Sequence, residues 1–279
     1  MSVTPGRRLE GKVAFITGAA RGQGRSHAVG FAREGADVVL FDACKPIETV
    51  AYELPTEDDL AETVDLVKEA GGRAIAVVGD VREAKAVRDA VDLGLETFGR
   101  LDVVAANAGI CTYGALWEIS EEDWAQMLAV NLTGVWHTVR AAVPHMIKQG
   151  EGGSIIATSS CAGLKGFGYA GHYTAAKHGV VGMMKTLAIE LAPHMIRANV
   201  VCPFSVGTGM ILNQPTYELM SPDNPTIEAS AEAFQALCTL PIPWMEEQDV
   251  TNLYLFLASD ESRYMTGLAL PVDAGFMLR

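Results

Sequence analysis

Tyr173 and Lys177 stand four residues apart in the run GHYTAAKHGVVGMMKT. On a helix that spacing places both side chains on one face. A free phenol titrates at about 10 and is a poor base at neutral pH. An ammonium group beside it favours the phenolate and lowers the pKa. Ser159 and Ser160 close the run GSIIATSS, and Ser160 precedes the tyrosine by thirteen residues. Either hydroxyl could bond a reacting oxygen and the charge that develops on it. Such a set suits removal of a hydroxyl proton from an alcohol, or its return to a carbonyl. Each residue alone also has an ordinary reading. Tyrosine and lysine four apart are common by chance, and Asn131 in VNLTG would cap a helix.

Positioning these groups requires a scaffold, and the chain alternates in a way that supplies one. KVAFIT, ADVVLFD, RAIAVVGD, LDVVAANAG, GSIIATSS, IRANVVCP and LALPVD read as strands. Helical stretches near 22–34, 58–70, 83–98, 121–149 and 172–192 separate them. This rhythm predicts one α/β domain over residues 1–279, a doubly wound, Rossmann-type parallel sheet with helices on both faces. Buried parallel strands should be almost continuously apolar, as these are. Two stretches break the rhythm. Residues 44–57 are too long for an ordinary βα loop. Residues 204–245 are rich in Pro, Met and Asn and read as a loop with short helices, a place for a substrate lid.

TGAARGQG, residues 17–24, follows the first strand and opens the first helix. A dinucleotide-binding fold places its phosphate loop there. Gly18 allows the tight turn, Gly22 a positive φ, and Gly24 a close approach of the helix N-terminus; Arg21 and Gln23 lie in the same loop. Asp42 ends the second strand, near the expected position of a carboxylate for the adenosine ribose. It favours NAD over its 2′-phosphorylated form, while Arg21 argues the other way. Arg25 reads as part of a solvated helix face. With NAD in place, Tyr173 would take the proton while hydride passes to the nicotinamide, and Lys177 would hold the nicotinamide ribose.

The TGxxxGxG spacing, with Asn131, Ser160, Tyr173 and Lys177 in order behind it, resembles the short-chain dehydrogenase/reductase family over nearly the whole chain. The resemblance implies Ser160 rather than Ser159 as the catalytic hydroxyl. It implies that Asn131 holds a water linking Lys177 to solvent. Asp80 and Val81 would contact adenine, and Asn107, Ala108 and Gly109 would lie beside the cofactor. Pro203 through Thr208, with Val206, would reach the nicotinamide amide. The family's Pro-Gly is Pro203-Phe204 here, which puts the backbone path at that point in question. The insert IETVAYELPTEDDLAETVDLVKEAGGR, the Tyr173 helix and the ending LPVDAGF resemble the carveol-dehydrogenase-like, mycofactocin-coupled subgroup. That implies oxidation of secondary alcohols, cyclic or terpenoid ones included, a homotetramer, and NAD retained between turnovers. Mycofactocin or another redox carrier would reoxidise it. The insert follows the adenosine-binding strand and could cover that half of the cofactor.

Composition limits the alternatives. A net charge of −13 disfavours nucleic acid and anionic membranes. No apolar run reaches a membrane-spanning length, and residues 1–10 lack the core of a leader. Five scattered cysteines without a CxxC pair argue against a metal or disulfide framework and fit a reducing cytoplasm. Ile110, Cys111, Phe167, Tyr169, Phe204, Met210 and Ile211 are expected pocket walls. His172 is expected to be structural and Cys161 to fill space. Trp117, Trp136 and Trp244 suit packing or an interface. Apolar faces with Val135, Val139, Val143, Val180, Met183 and Leu187 exceed the need of one core and point to subunit packing. A carbonyl reductase running the reaction backwards and a silent NAD-sensing protein are the rival functions.

Overall fold

The computed structural model describes residues 7–279; the reading of residues 1–10 falls largely on residues 1–6, outside the described residues. Strand β1 (Val13–Thr17) is joined by helix α1 (Gly22–Arg33) to β2 (Asp37–Asp42). Then come α2 (Glu57–Glu69), β3 (Ala74–Val78), α3 (Ala84–Phe98) and β4 (Val103–Ala106). The seven-stranded sheet has the order β3-β2-β1-β4-β5-β6-β7, with β5 at Gly153–Thr158, β6 at Ile196–Pro203 and β7 at Ala269–Val272. All neighbouring strands pair in parallel. Strand order reverses between β1 and β4, which opens a crevice at their carboxyl ends.

Both faces of the sheet are buried, as period-two alternation in a doubly covered strand requires. Phe15 and Val39 join one core with Val87 of α3. Ile16 and Leu40 join the other with Phe31 of α1. β3 departs from expectation: it is an edge strand and Val78 is half exposed.

The stretch 121–149 is not one helix. α4 (Glu121–Leu128) and α5 (Gly134–Gln149) flank a single π turn, Ala129–Thr133. α6 (Gly171–Leu191) carries the Tyr–Lys pair. Within 204–245 lie α7 (Gln214–Met220) and α8 (Ile227–Leu237). Helix α9 (Glu247–Ala258) was not legible as a helix: its apolar run is nearly continuous, and its capping box Glu246/Asp249 is made of two acids. α9 packs on α1, with Tyr254 stacked on His27 at 3.9 Å.

The expected surplus of apolar helix faces is corrected. Val135, Val139 and Val180 are buried in the core of this chain, and Val143, Met183 and Leu187 pack against it. The exposed apolar side chains are others: Trp124 on α4, Trp136 on α5, Ile189 on α6, and Trp117 before α4. Among the described residues, no helix is long and apolar enough to cross a membrane.

Candidate active site

A cleft of about 390 Å³ runs along the carboxyl ends of the strands. At one end is the glycine loop. Gly18 has φ +69, and a Cβ there would stand 2.8 Å from Ala108 Cα. Gly22 has φ +56 and faces the Thr208 methyl. Gly24 has another role than expected. It lies behind the loop, where a Cβ would collide with the Gly18 carbonyl, so it permits helix–strand packing. Gln23 lines the cleft, and its buried Oε1 has no hydrogen-bond partner among the described residues. A loop too tight for side chains fits a dinucleotide whose phosphates approach bare backbone, and the Gln23 acceptor suits a donor such as a ribose hydroxyl.

Asp42 is buried at the end of β2. Its Oδ2 accepts from Ala20 N–H at 2.9 Å and its Oδ1 from Cys44 N–H at 3.3 Å. Burial pushes its carboxyl above the usual range, against those donors. Arg21 lines the cleft and donates to the Glu53 carbonyl of residues 44–57, so its guanidinium is already engaged. Arg25 is not on a solvated face. It holds the Ala20 carbonyl at 2.8 Å, donates to Asp59 O of α2, and pairs with Glu62 at 2.7 Å. Its partners come from a helix distant in sequence, which left no local signal.

Asp80 also lines the cleft, beside Val81. Burial pushes its carboxyl up, but Arg82 and Lys45 outweigh that and bring it to about 2. Lys45 Nζ lies 3.1 Å from Asp80, which fastens the start of the insert. At its other end Tyr52 accepts from Cys111 N–H at 3.1 Å. Residues 44–57 therefore cross from the Asp80 end of the cleft to its Cys111 end, further than the adenosine half alone. Tyr52 itself carried no sequence signal.

Asn107, Ala108 and Gly109 line the middle of the cleft. Asn107 and Ala108 N–H both donate to Thr17 Oγ1 at 3.1 Å. Thr158 Oγ1 donates to Asn107 Oδ1 at 3.0 Å and meets Tyr254 Oη at 2.6 Å. This network ties the unforeseen helix α9 to the cofactor end.

Tyr173 and Lys177 both face the cleft, with Lys177 Nζ 5.4 Å from the phenol ring centre. Lys177 is buried and donates to Thr158 O at 2.8 Å. Burial pushes its pKa down to about 8. Burial also pushes the Tyr173 phenol up, opposed by the Ser160 hydroxyl. The expected lowering by Lys177 is thus not the dominant influence in the chain alone, because desolvation outweighs it. Ser159 and Ser160 are now told apart. Ser159 Oγ is committed to Lys177 O at 2.9 Å. Ser160 Oγ accepts from Ala162 N–H at 3.1 Å and reaches Pro203 O at 3.4 Å.

Asn131 is fully buried in the π turn and does not line the cleft. Its Nδ2 donates to Ile110 O at 3.0 Å and Met127 O at 3.1 Å. Its Oδ1 accepts from Ile110 N–H at 3.3 Å. A π turn releases a helix carbonyl for such a bond. Asn131 therefore pins the segment after Gly109, where a Cβ would meet its Oδ1 at 2.7 Å and Lys177 Nζ at 3.5 Å.

Pro203, Val206 and Thr208 line the far side. Phe204 has an ordinary negative φ and donates its N–H to Val272 O at 3.0 Å, so the path needs no glycine. Tyr169 is no pocket wall; it is exposed, with φ +59. His172 is buried and bonds Thr112 Oγ1 through Nε2 at 2.8 Å, which fits a structural role. Cys161 is fully buried and fills space, its thiol pushed up to about 12 by burial. Trp244 packs edge-on against Phe234.

A family model described as enoyl-(acyl carrier protein) reductase matches residues 18–277. A short-chain type dehydrogenase/reductase from Mycobacterium marinum superposes with a TM-score of 0.84 at 31% identity, over 97% of each chain. The (−)-trans-carveol dehydrogenase of Rhodococcus erythropolis is 51% identical over 98% of this chain and 99% of that protein. The chain belongs to the short-chain dehydrogenase/reductase family. A carveol dehydrogenase from Mycobacterium avium, solved in complex with NAD, is 53% identical with a TM-score of 0.96, covering 98% of this chain and 100% of that one. Family membership makes this chain an oxidoreductase, and its glycine loop, Tyr173 and Lys177 stand on the elements the sequence assigned to them, while Ser160 lies two residues past β5, the strand expected to carry it, at the start of a 3-10 turn.

Proposed function

We propose that this chain is an NAD-dependent dehydrogenase of secondary alcohols, with Tyr173 as the general base. The observation that carries the reading is a half-buried phenol at the glycine-lined cleft, with the Ser160 hydroxyl beside it and the Lys177 ammonium 5.4 Å from its ring centre. Bound NAD+ would supply the hydride acceptor and a positive charge beside the phenol. Gly18 and Gly22 would let its phosphates approach bare backbone, with Arg21 and Gln23 lining that loop; Asp42 would hold the adenosine ribose, and Thr208 would stand at the amide end. Asp80, Val81, Asn107, Ala108 and Gly109 would line its adenosine half and middle, and Pro203 and Val206 its amide. Ser160 would orient the alcohol oxygen while Tyr173 removes its proton. Lys177 would favour the phenolate and hold the second ribose. Asn131 acts behind them, by fixing the Ile110 segment and leading the proton toward water.

The substrate is proposed to be largely apolar, a cyclic or terpenoid alcohol among them. Relatives named for carveol support this, as do Ile211 and Met210 in the wall. NAD is proposed to stay bound between turnovers, reoxidised by mycofactocin or another redox carrier. The ties Lys45–Asp80, Arg21–Glu53 and Tyr52–Cys111 support a closed insert over the cleft. Protein purified without added nucleotide should then release NAD or NADH on denaturation, read by mass spectrometry. A panel of secondary alcohols should turn over with an artificial electron acceptor and not with free NAD+. An empty site with brisk reduction of free NAD+ would remove the retention reading and leave an ordinary dehydrogenase. Shortening residues 44–57 should speed nucleotide exchange; unchanged exchange would show that the insert is no cover.

A homotetramer is proposed as well, supported by the exposed Trp124, Trp136 and Ile189 on adjoining helices. Light scattering should give four times the 29.7 kDa chain mass; a monomer at micromolar concentration would refute it. Five free cysteines support a reducing cytoplasmic setting.

A further inference from the structure

Three phenylalanine rings line the substrate end of the cleft: Phe167, Phe204 and Phe234. A fourth, Phe276, stands behind them, buried and outside the lining. Phe204 and Phe276 stack face to face, with ring centres 4.0 Å apart and planes within 7°. Phe276 also stacks on Phe167 at 5.4 Å. Phe234 meets Phe204 edge-on at 6.2 Å and is backed by Trp244. Lys165 Nζ caps the Phe276 ring at 4.4 Å, a cation–π contact.

Phe276 is itself held firmly. Its N–H donates to Asp273 O at 2.9 Å, and the Asp273 carboxylate accepts from Gly275 and Met277 N–H at 3.0 and 2.8 Å. Thr239 Oγ1 donates to Gly275 O at 2.9 Å. The stack is anchored on one side and faces the cleft on the other. Phe204 follows Pro203, whose carbonyl lies 3.4 Å from Ser160 Oγ. The aromatic wall therefore begins beside the hydroxyl that would orient the reacting oxygen. Met210, Ile211, Leu219 and Met220 also line this end, and none of these walls carries a charge. A flat, fixed, uncharged wall favours a ligand with an apolar ring, which can lie against it.

We propose that Phe276 is a positioning residue that holds Phe204 as the wall of the substrate pocket, so that the site selects secondary alcohols built on an apolar ring over small linear ones. This rests on the dehydrogenase reading above. Phe276→Ala leaves Phe204 free to turn away. Phe204→Gly removes the wall outright, without backbone strain, because Phe204 holds an ordinary φ.

The test uses the NAD-loaded enzyme with an artificial electron acceptor that reoxidises the bound nucleotide, and cyclohexanol or 2-butanol as the alcohol. In Phe276→Ala, KM for cyclohexanol should rise roughly tenfold, the size expected for loss of an aromatic contact, with kcat retained. KM for 2-butanol and nucleotide retention should hold. Phe276→Tyr should restore the wild-type ratio. In a Phe204→Gly background Phe276→Ala should add much less than it does alone, the remainder passing through Phe167. A parallel loss on both alcohols, additive effects of the two substitutions, or an unchanged cyclohexanol KM would overturn the proposal. Cyclohexanone binding by calorimetry separates this from failure of the parent reading. If the wild type oxidises neither alcohol yet binds cyclohexanone more tightly than Phe276→Ala, the wall stands and the dehydrogenase reading falls. Equal binding overturns the wall.

Discussion

Tyr173→Phe should lower alcohol oxidation by about 10²–10⁴-fold, the usual contribution of a general acid–base group, while the protein still carries its nucleotide. The substitution removes one oxygen and keeps the ring. That ring is half-buried, packs against the core and lies near Lys177, so the packing of α6 survives. What would be lost is the oxygen proposed to take the alcohol's proton. Because burial holds the phenol well above its ordinary range, proton removal is the step for which this site most needs help. The wild-type rate should accordingly rise with pH on its acid limb, and the mutant's residual rate should lose that limb. Steady-state rates across pH, with nucleotide content measured on the same samples, check both. A mutant that oxidises alcohol at a near-normal rate would remove Tyr173 from the chemistry.

Lys177→Met should cost about 10²–10³-fold in turnover, the scale of removing one preorganised electrostatic donor, and it should leave a signature in stability. Lys177 is buried, and burial brings its pKa from 10.5 down to about 8. Between those values the unfolded chain holds a proton that the folded chain does not. Stability of the wild type therefore rises with pH across that window. Below about 8 both states are protonated, and the full cost of the buried charge falls on the fold. Methionine has no such dependence. Urea melts should show the difference between mutant and wild type changing from pH 8 toward 10.5, with the wild type gaining. A pH-independent difference would mean that the lysine keeps an ordinary pKa in the fold. The lost bond to Thr158 O adds a constant penalty and does not alter that slope.

The two substitutions probe residues whose shared helix face was legible from their spacing alone. A four-residue interval on a helix fixes a shared face whatever surrounds it, and Tyr173 and Lys177 share one. The glycine loop was legible for a similar reason: Gly18 and Gly22 take positive φ, a local demand that a local sequence can display. The parallel sheet with helices on both faces follows from alternating strands and helices, while its order, with the reversal between β1 and β4, came from the fold. So the strands, most helices and the line of the cleft could be read before any contact was known.

Other features depended on partners far along the chain. Ser159 and Ser160 are neighbours of one type; family resemblance alone favoured Ser160, and the approach of Lys177 O to Ser159 supplies the physical reason. Arg25 reads as a surface residue until α2 closes over the Ala20 carbonyl. The helix faces of α5 and α6 look surplus until the core is seen to absorb them. Tyr52 meets Cys111 across 59 residues, and Phe204 meets Phe276 across the last turn of the chain. Periodicity and backbone preference act within a few residues and are written in the local pattern. The commitment of a hydroxyl, the path of an insert or the backing of a ring is settled by which surfaces the folded chain brings together, and a local pattern carries no record of them.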